Sequence, residues 1–327
     1  MSLAISIINV PDKTQNQKDW LKDNISVIYQ QVHVDGVAIF RGLSVANVDA
    51  FFELISHVDK DLIDYSEDST PRTLKRDKVY TSTEFASEQV IPLHNEMSYC
   101  HSWPRYLWFW VKKTADKGGQ TTLADSRKIY QSLPEQLREK FTKKGVEYVR
   151  TYYDFMGVPW RTAFKTDDKE QVTQLLKSTE CEFEWITEDV LQTRQKVEGT
   201  VIHPISGERC WFNQAFLFHP YSLNQEHRLA LTSAFNEEQF PRYVKFADGE
   251  LLVDEELAQI QSAMEENIII PDWQDGDIAL IDNLLFSHGR CSFQGKREVY
   301  VAMSTKMTST FQSSENLKAA AHGTTIV

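Results

Sequence analysis

Four cysteines in 327 residues, none in C-x-x-C spacing, exclude a disulfide scaffold and a cysteine-built metal site. Cys100, Cys181, Cys210 and Cys291 read instead as free thiols. No apolar run reaches the roughly 18 residues of a spanning helix. Met1 to Pro11 lacks the basic start of a secretory leader, and Asp12, Lys13, Lys18 and Asp19 soon interrupt it. Membrane insertion and export are therefore not expected, and a cytoplasmic location is. Basic charge is also short: 35 Lys and Arg face 47 Asp and Glu, a formal net charge of −12. That balance disfavours nucleic acid and anionic membrane as partners, yet is compatible with a local basic pocket for an acidic small molecule. Internal repeats and domain linkers are absent too, so a single domain over residues 1–305 is expected. The Ser/Thr/Ala-rich end, 306–327, has no apolar periodicity and reads as a mobile tail.

What is present is a chain able to bury a large core, 41% hydrophobic and 12% aromatic. Val37 to Phe40 reads as a buried strand, and Val48, Phe51, Phe52 and Ile55 mark one face of a helix. A polar loop from Asp64 to Arg76 precedes β-rich Val79 to Thr83. Asp125 is the expected N-cap of a helix over Ser126 to Lys144, interrupted at Pro134 and stopped by Gly145. Val146 to Tyr153 follows as a strand. The stretch 154–213 reads as polar loops with short helices near Gln171 to Ser178 and Glu188 to Gln195. Helices are expected over Glu226 to Glu238 and Asp254 to Asn267, then strands over Asp277 to Ile281 and Val299 to Ser304. Such a mixture fits a barrel, a sandwich or an α+β fold.

The chemistry concentrates in His94-Asn95-Glu96, in His288, 192 residues beyond Glu96, and in Arg297, nine further on. In a strand, His94 and Glu96 would project from one face and Asn95 from the other. A distant histidine then completes a two-histidine, one-carboxylate set that leaves one side of an Fe(II) ion open. Arg297 offers a planar fork suited to the far carboxylate of a dicarboxylate such as 2-oxoglutarate.

Around these residues stand Ile91 to Tyr99, Gly118-Gly119-Gln120-Thr121-Thr122-Leu123-Ala124-Asp125, His203-Pro-Ile-Ser-Gly-Glu-Arg-Cys-Trp-Phe-Asn213-Gln214 and Trp273 to Asn283 followed by His288-Gly289-Arg290. In this order they resemble the taurine dioxygenase and clavaminate synthase-like superfamily of Fe(II)/2-oxoglutarate oxygenases, within it the syringomycin-type aspartyl hydroxylase branch. The resemblance runs from about Val37 to about Met303. It implies a mainly β fold with flanking α, a double-stranded β-helix or distorted jelly roll, with outer helices and a lid-like insertion at about 154–213.

The resemblance further implies His94, Glu96 and His288 as metal ligands, Arg297 as the anchor of 2-oxoglutarate and Thr121 as its hydroxyl partner. Many relatives carry a second arginine where this chain has Val301, and Arg290 is the candidate to replace it. Arg72, Asn95, Asn213, Gln214 and Trp160, with Arg161 and Phe164 beside it, are the candidate substrate residues, although a surface-loop role is favoured for Arg72. Glu96 stands where halogenating relatives carry a small residue, which argues against halogenation. The implied cofactor is Fe(II), with 2-oxoglutarate and O2 as co-substrates. The implied reaction is hydroxylation of an amino-acid-like small molecule, free or presented on a carrier protein, with self-association into a homo-oligomer left open. Desaturation or ring closure on the same site remains an alternative. So do a Zn(II) or Ni(II) metalloprotein without oxygenase activity and a metal-free binding protein on the same scaffold.

Overall fold

The computed structural model describes residues 5–11, 16–64 and 72–311. Its spine is the strand Ser102–Lys113, which is buried without a break from Tyr106 to Val111, the pattern of a strand covered on both faces. Ile278–Asp282 and Glu298–Thr308 pair with it on either side, both antiparallel. The sheet continues outward through Val37–Arg41 to Ser6–Asn9 on one flank, and through Val79–Thr81 to Leu74–Arg76 on the other. Leu62–Ile63 joins it by pairing with Glu298–Thr308.

Alternation along these strands separates two cores. Tyr106, Trp108, Trp110, Ile278, Leu280 and Ala302 face two helices, Gln17–Asp35 and Val48–Val58, which bring Leu21, Ile28, Val32, Phe51, Leu54 and Ile55. Phe51 stacks on Trp110 with ring centroids 5.5 Å apart. Leu107, Phe109, Val111, Ile281, Val301 and Met303 face the other way, into the core shared with a small sheet. That sheet has three strands, Ile91–His94, Phe286–Arg290 and Thr121–Asp125, with Phe286–Arg290 in the middle. The expectation of helices on the outside of one sheet is met. The 19-residue helix Gln17–Asp35 is an addition to the expected elements, and it turns Leu21, Ile25, Ile28 and Val32 toward the sheet at helical spacing.

A further sheet differs from expectation. Glu182–Trp185, Leu191–Val197, Val146–Tyr152 and Arg242–Phe246 pair antiparallel in that order. The helix expected over Glu188 to Gln195 is therefore a strand, held by a seven-residue ladder to a partner some 45 residues earlier in the chain. The stretch 154–213 contributes half of this sheet plus the helices Trp160–Phe164 and Lys169–Ser178, rather than loops alone. Pro134 splits the expected long helix into Ser126–Ser132 and Glu135–Lys144, and Asp125 caps the first by accepting from Arg127 N. The helix expected over Glu226 to Glu238 ends at Ala234 and is followed by a separate short turn of helix, Glu237–Gln239.

Residues 306–308, expected to belong to the tail, are part of the last strand. The last strand runs to Thr308, after which Ser309 N donates to His101 O at 2.7 Å and Thr310 N to Glu198 Oε1 at 2.7 Å. Residues 312–327 lie outside the described residues, as does Pro71 with its neighbours 65–70. All four cysteines are free, three of them buried. Among the described residues, no helix is long and apolar enough to cross a membrane.

Candidate active site

Cross-strand pairing builds the centre. His94, the last residue of Ile91–His94, lies directly opposite His288 on the middle strand, and their ring centroids are 4.4 Å apart. The chain after His288 passes tightly between its neighbours, since a Cβ on Gly289 would lie 2.5 Å from Ile91 O and 2.8 Å from Thr122 Oγ1. The ladder slips register there, which reorients Arg290.

Glu96 arrives by a route that strand alternation does not provide. The strand stops at His94, and Glu96 sits in a turn in which Met97 takes φ 56°. The turn's polar backbone groups are met by side-chain amides instead of a ladder. Glu96 N donates to Asn283 Oδ1 at 2.7 Å, and Asn283 Nδ2 donates to Glu96 O at 3.0 Å and to Pro104 O at 2.9 Å. Gln214 Nε2 donates to Asn95 O at 2.8 Å. Asn95 is indeed directed away, donating to Asn283 O at 2.7 Å and Ser126 Oγ at 3.2 Å, which makes it a brace of the turn.

The result is a buried cluster in which one ligand atom from each of His94, Glu96 and His288 lies within 4.8 Å of the others. His94 Nδ1 is engaged by Pro92 O at 2.9 Å, leaving Nε2 for the cluster. His288 Nε2 stands 3.7 Å from Glu96 Oε2, beyond hydrogen-bond length. Burial pushes His94 below the usual imidazole range, against the pull of Glu96, and pushes His288 well below it. Both rings are thus neutral and able to offer a lone pair. Two neutral imidazoles and a carboxylate fit a first-row dication such as Fe(II) and leave coordination positions open.

Arg72 is not on the surface. Its side chain and that of Glu96 are each 3% exposed, and Arg72 Nη2 donates to Glu96 Oε2 at 2.6 Å.

A second charged group lies across the cavity. Arg297 donates through Nε to Gly119 O at 2.7 Å, through Nη1 to Ser82 Oγ at 3.1 Å and through Nη2 to Thr121 Oγ1 at 3.2 Å. All three acceptors are neutral, and among the described residues no carboxylate pairs with this guanidinium. Burial, reinforced by the nearby Arg290 charge, holds Arg297 down to about 10. Gly119, at φ 74°, could not carry a side chain here, since its Cβ would meet Phe293 Cβ at 2.9 Å and Arg297 Cδ at 3.1 Å. Trp273 Nε1 fixes the Thr121 carbonyl at 2.8 Å.

One cavity connects the two groups, lined by His94, His288, Thr121, Arg290, Arg297 and Arg72. Another opens on the far side of the cluster between Glu96, Arg72, Tyr99, Gln214, Phe85 and Leu217.

The remaining predicted residues divide. Gln214 reaches the site and also steadies the metal turn. Arg290 is engaged by loop carbonyls, donating to Phe85 O at 3.1 Å, Ala86 O at 2.7 Å and Gln89 O at 2.9 Å. It therefore anchors the loop that roofs the cavity, while Val301 remains in the apolar core. Asn213 serves its own backbone, donating to Gly199 O at 2.7 Å and accepting from Ala215 N at 2.9 Å. Trp160 is fully buried in a separate cluster with Tyr152, Leu176 and Leu191, and Phe164 packs against that cluster. Arg161 pairs at the surface with Asp189 at 2.9 Å. Asn283 is the residue that sequence reasoning passed over; an amide directly after a buried strand and Asp282 was the available signal.

A buried His94, Glu96 and His288 cluster that could hold a dication thus stands across one cavity from a guanidinium with no carboxylate partner among the described residues. The profile of the taurine catabolism dioxygenase TauD, TfdA family matches residues 11–303, and the chain belongs to that family of iron- and 2-oxoglutarate-dependent oxidoreductases. It is 33% identical over 268 residues to the dapdiamide synthesis protein DdaC of Enterobacter agglomerans, covering 82% of each chain. It is also 26% identical over 313 residues to a clavaminate synthase-like protein of Arabidopsis thaliana, covering 92% of this chain and 90% of that one. The fold is similar to that of PvcB from Pseudomonas aeruginosa, with a TM-score of 0.52 at 12% identity over 91% of this chain and 84% of the other. It is likewise similar to AAD-2, solved with Mn(II) and N-oxalylglycine, with a TM-score of 0.52 at 11% identity over 94% and 96%.

Proposed function

We propose that the enzyme couples decarboxylation of 2-oxoglutarate, to succinate and CO2, with hydroxylation of an unactivated C–H bond in an amino acid or amino-acid derivative, free or carrier-bound. Arg297 carries this reading: a guanidinium is buried with neutral acceptors only, a costly arrangement unless an anion joins it. His94, Glu96 and His288 hold the iron. Arg297 and the Thr121 hydroxyl hold the distal carboxylate of 2-oxoglutarate. Bound Fe(II) with 2-oxoglutarate supplies oxygen activation and C–H cleavage; the protein supplies position and a dry enclosure.

Asn283 and Gln214 keep the Glu96 turn rigid, so the carboxylate points at one place. Phe109, edge-on to His288 at 5.2 Å, closes the inner wall against water. Tyr99, Leu217 and Gln214 bound the cavity where the substrate carbon sits. The small ligand sheet and the large sheet sharing one core support a double-stranded β-helix. The segment 154–213 forms the cover of a single catalytic domain over 1–305. Likeness to a dapdiamide synthesis protein supports a place in natural-product assembly.

Anaerobic titration of the metal-free protein with Fe(II) and then 2-oxoglutarate tests the proposal. A weak visible charge-transfer band of the chelated keto acid is expected in the native protein and absent in His288→Ala. Iron binding without that band would favour a metalloprotein with no oxygenase activity.

A further inference from the structure

We propose that a third cavity, behind Arg297, is a separate port for the co-substrate, through which 2-oxoglutarate enters and succinate leaves while substrate is bound; this rests on the iron and 2-oxoglutarate reading above. That cavity measures about 210 Å³, and its walls include Ala115, Lys117, Gln120, Trp273, Thr121 and Arg297. An ordered water needs roughly 10 to 15 Å³ of such space, so a five-carbon dicarboxylate has room. Lys117 and Gln120 are exposed and form the rim, whereas Thr121 and Trp273 are buried and form the floor. The cavity therefore runs from solvent to the anchor of the distal carboxylate.

The three cavities lie in series. Thr121 and Arg297 line both this one and the iron-side cavity, so their side chains are the partition between the two. The iron-side cavity meets the substrate-side cavity elsewhere, at Thr83, Ile91 and His94. Among the described residues, the two outer cavities share no lining residue. A dicarboxylate arriving from the Lys117 rim thus meets its anchor before the metal, and a molecule seated against Leu217 is not in its way. The partition can yield to an anion. Arg297 crosses it on side-chain bonds alone, to Gly119 O at 2.7 Å and to the neutral hydroxyls of Ser82 and Thr121 at 3.1 and 3.2 Å. A carboxylate accepts charge-assisted bonds roughly twice as strong, so it can replace either hydroxyl and draw the guanidinium aside without leaving it bare. The surrounding backbone stays fixed, since Trp273 Nε1 donates to Thr121 O at 2.8 Å and Gly119 N to Ser292 O at 3.0 Å. Passage therefore needs movement of the Arg297 side chain and the Thr121 hydroxyl only.

Stopped-flow formation of the anaerobic keto-acid band in the full-length Fe(II) protein tests this, because it reads the arrival of 2-oxoglutarate without turnover. Gln120→Trp, at the exposed rim, is expected to slow both formation and loss of the band by about tenfold and to leave half-saturation near native. Leu217→Trp, in the substrate-side cavity, is expected to leave both rates near native. Lys117→Glu reverses a charge at the rim with little change in bulk. Band formation in it is expected to slow by about threefold at low ionic strength and to recover at high salt. Slowing by Leu217→Trp alone, or equally by both tryptophans, would mean one common mouth and overturn the proposal. Native rates in both rim variants, or a changed half-saturation at unchanged rates, would overturn it too. Should Gln120→Trp not fold, the salt dependence of Lys117→Glu decides alone. Absence of the band in native protein would instead remove the underlying oxygenase reading.

Discussion

The two ends of the cavity bury charge in opposite ways. At the metal end, Glu96 and Arg72 compensate each other at 2.6 Å, and both histidines are neutral. At the other end, Arg297 rests on a carbonyl and two hydroxyls. The metal end is electrically complete before any ligand arrives, whereas the Arg297 end becomes complete only with an anion. Folding therefore tolerates an empty metal site more readily than it tolerates the loss of an Arg297 acceptor.

The largest effect should come from His288→Ala, which removes one of the three proposed ligands: Fe(II) retention and turnover are expected to fall below detection, measured by metal analysis and succinate formation. Arg297→Ala should weaken 2-oxoglutarate by about 2 to 5 kcal/mol in its binding, read as a raised KM with the metal still bound. The contrast sharpens in thermal melts of the metal-free protein. There 2-oxoglutarate should raise the Tm of native protein and leave Arg297→Ala unmoved; equal stabilisation of both would place the anion elsewhere. Asn283→Ala should cost roughly 10- to 100-fold in metal affinity by loosening the Glu96 turn, seen by calorimetry with Mn(II). The smallest functional effect is expected from Trp160→Phe, which should lower stability by roughly 1 to 2 kcal/mol in urea while leaving kcat/KM near native. A large loss of kcat/KM in that variant would return Trp160 to the substrate wall.

Trp160 and Arg72 show why some roles could not be read from the chain. Trp160 was a candidate for the site because the 154–213 insertion was expected to cover it, and Arg72, also a candidate, was favoured for the surface because it lies in a polar loop. Packing reversed both assignments: Trp160 fills the core beneath the 191–197 strand, and Arg72 is drawn inward by a buried carboxylate. Leu191–Val197 itself became a strand because its hydrogen-bond partners lie in distant segments, which no local periodicity records.

Legible in the chain itself were His94, Glu96 and His288, which the fold gathers into one cluster, Arg297 and Thr121, which it brings into contact, the apolar strands and the helix over Val48–Val58. The strands and the helix follow from spacings that local geometry translates directly, whereas the site residues were marked by their place in motifs that resemble those of a known superfamily. Long-range packing set the rest: Glu96 enters from a turn pinned by Asn283, Arg72 pairs with it, and Arg290 holds the carbonyls of a loop. Those outcomes depend on which buried polar groups find partners across the fold, and the cost of leaving any of them unpaired is what selects the arrangement.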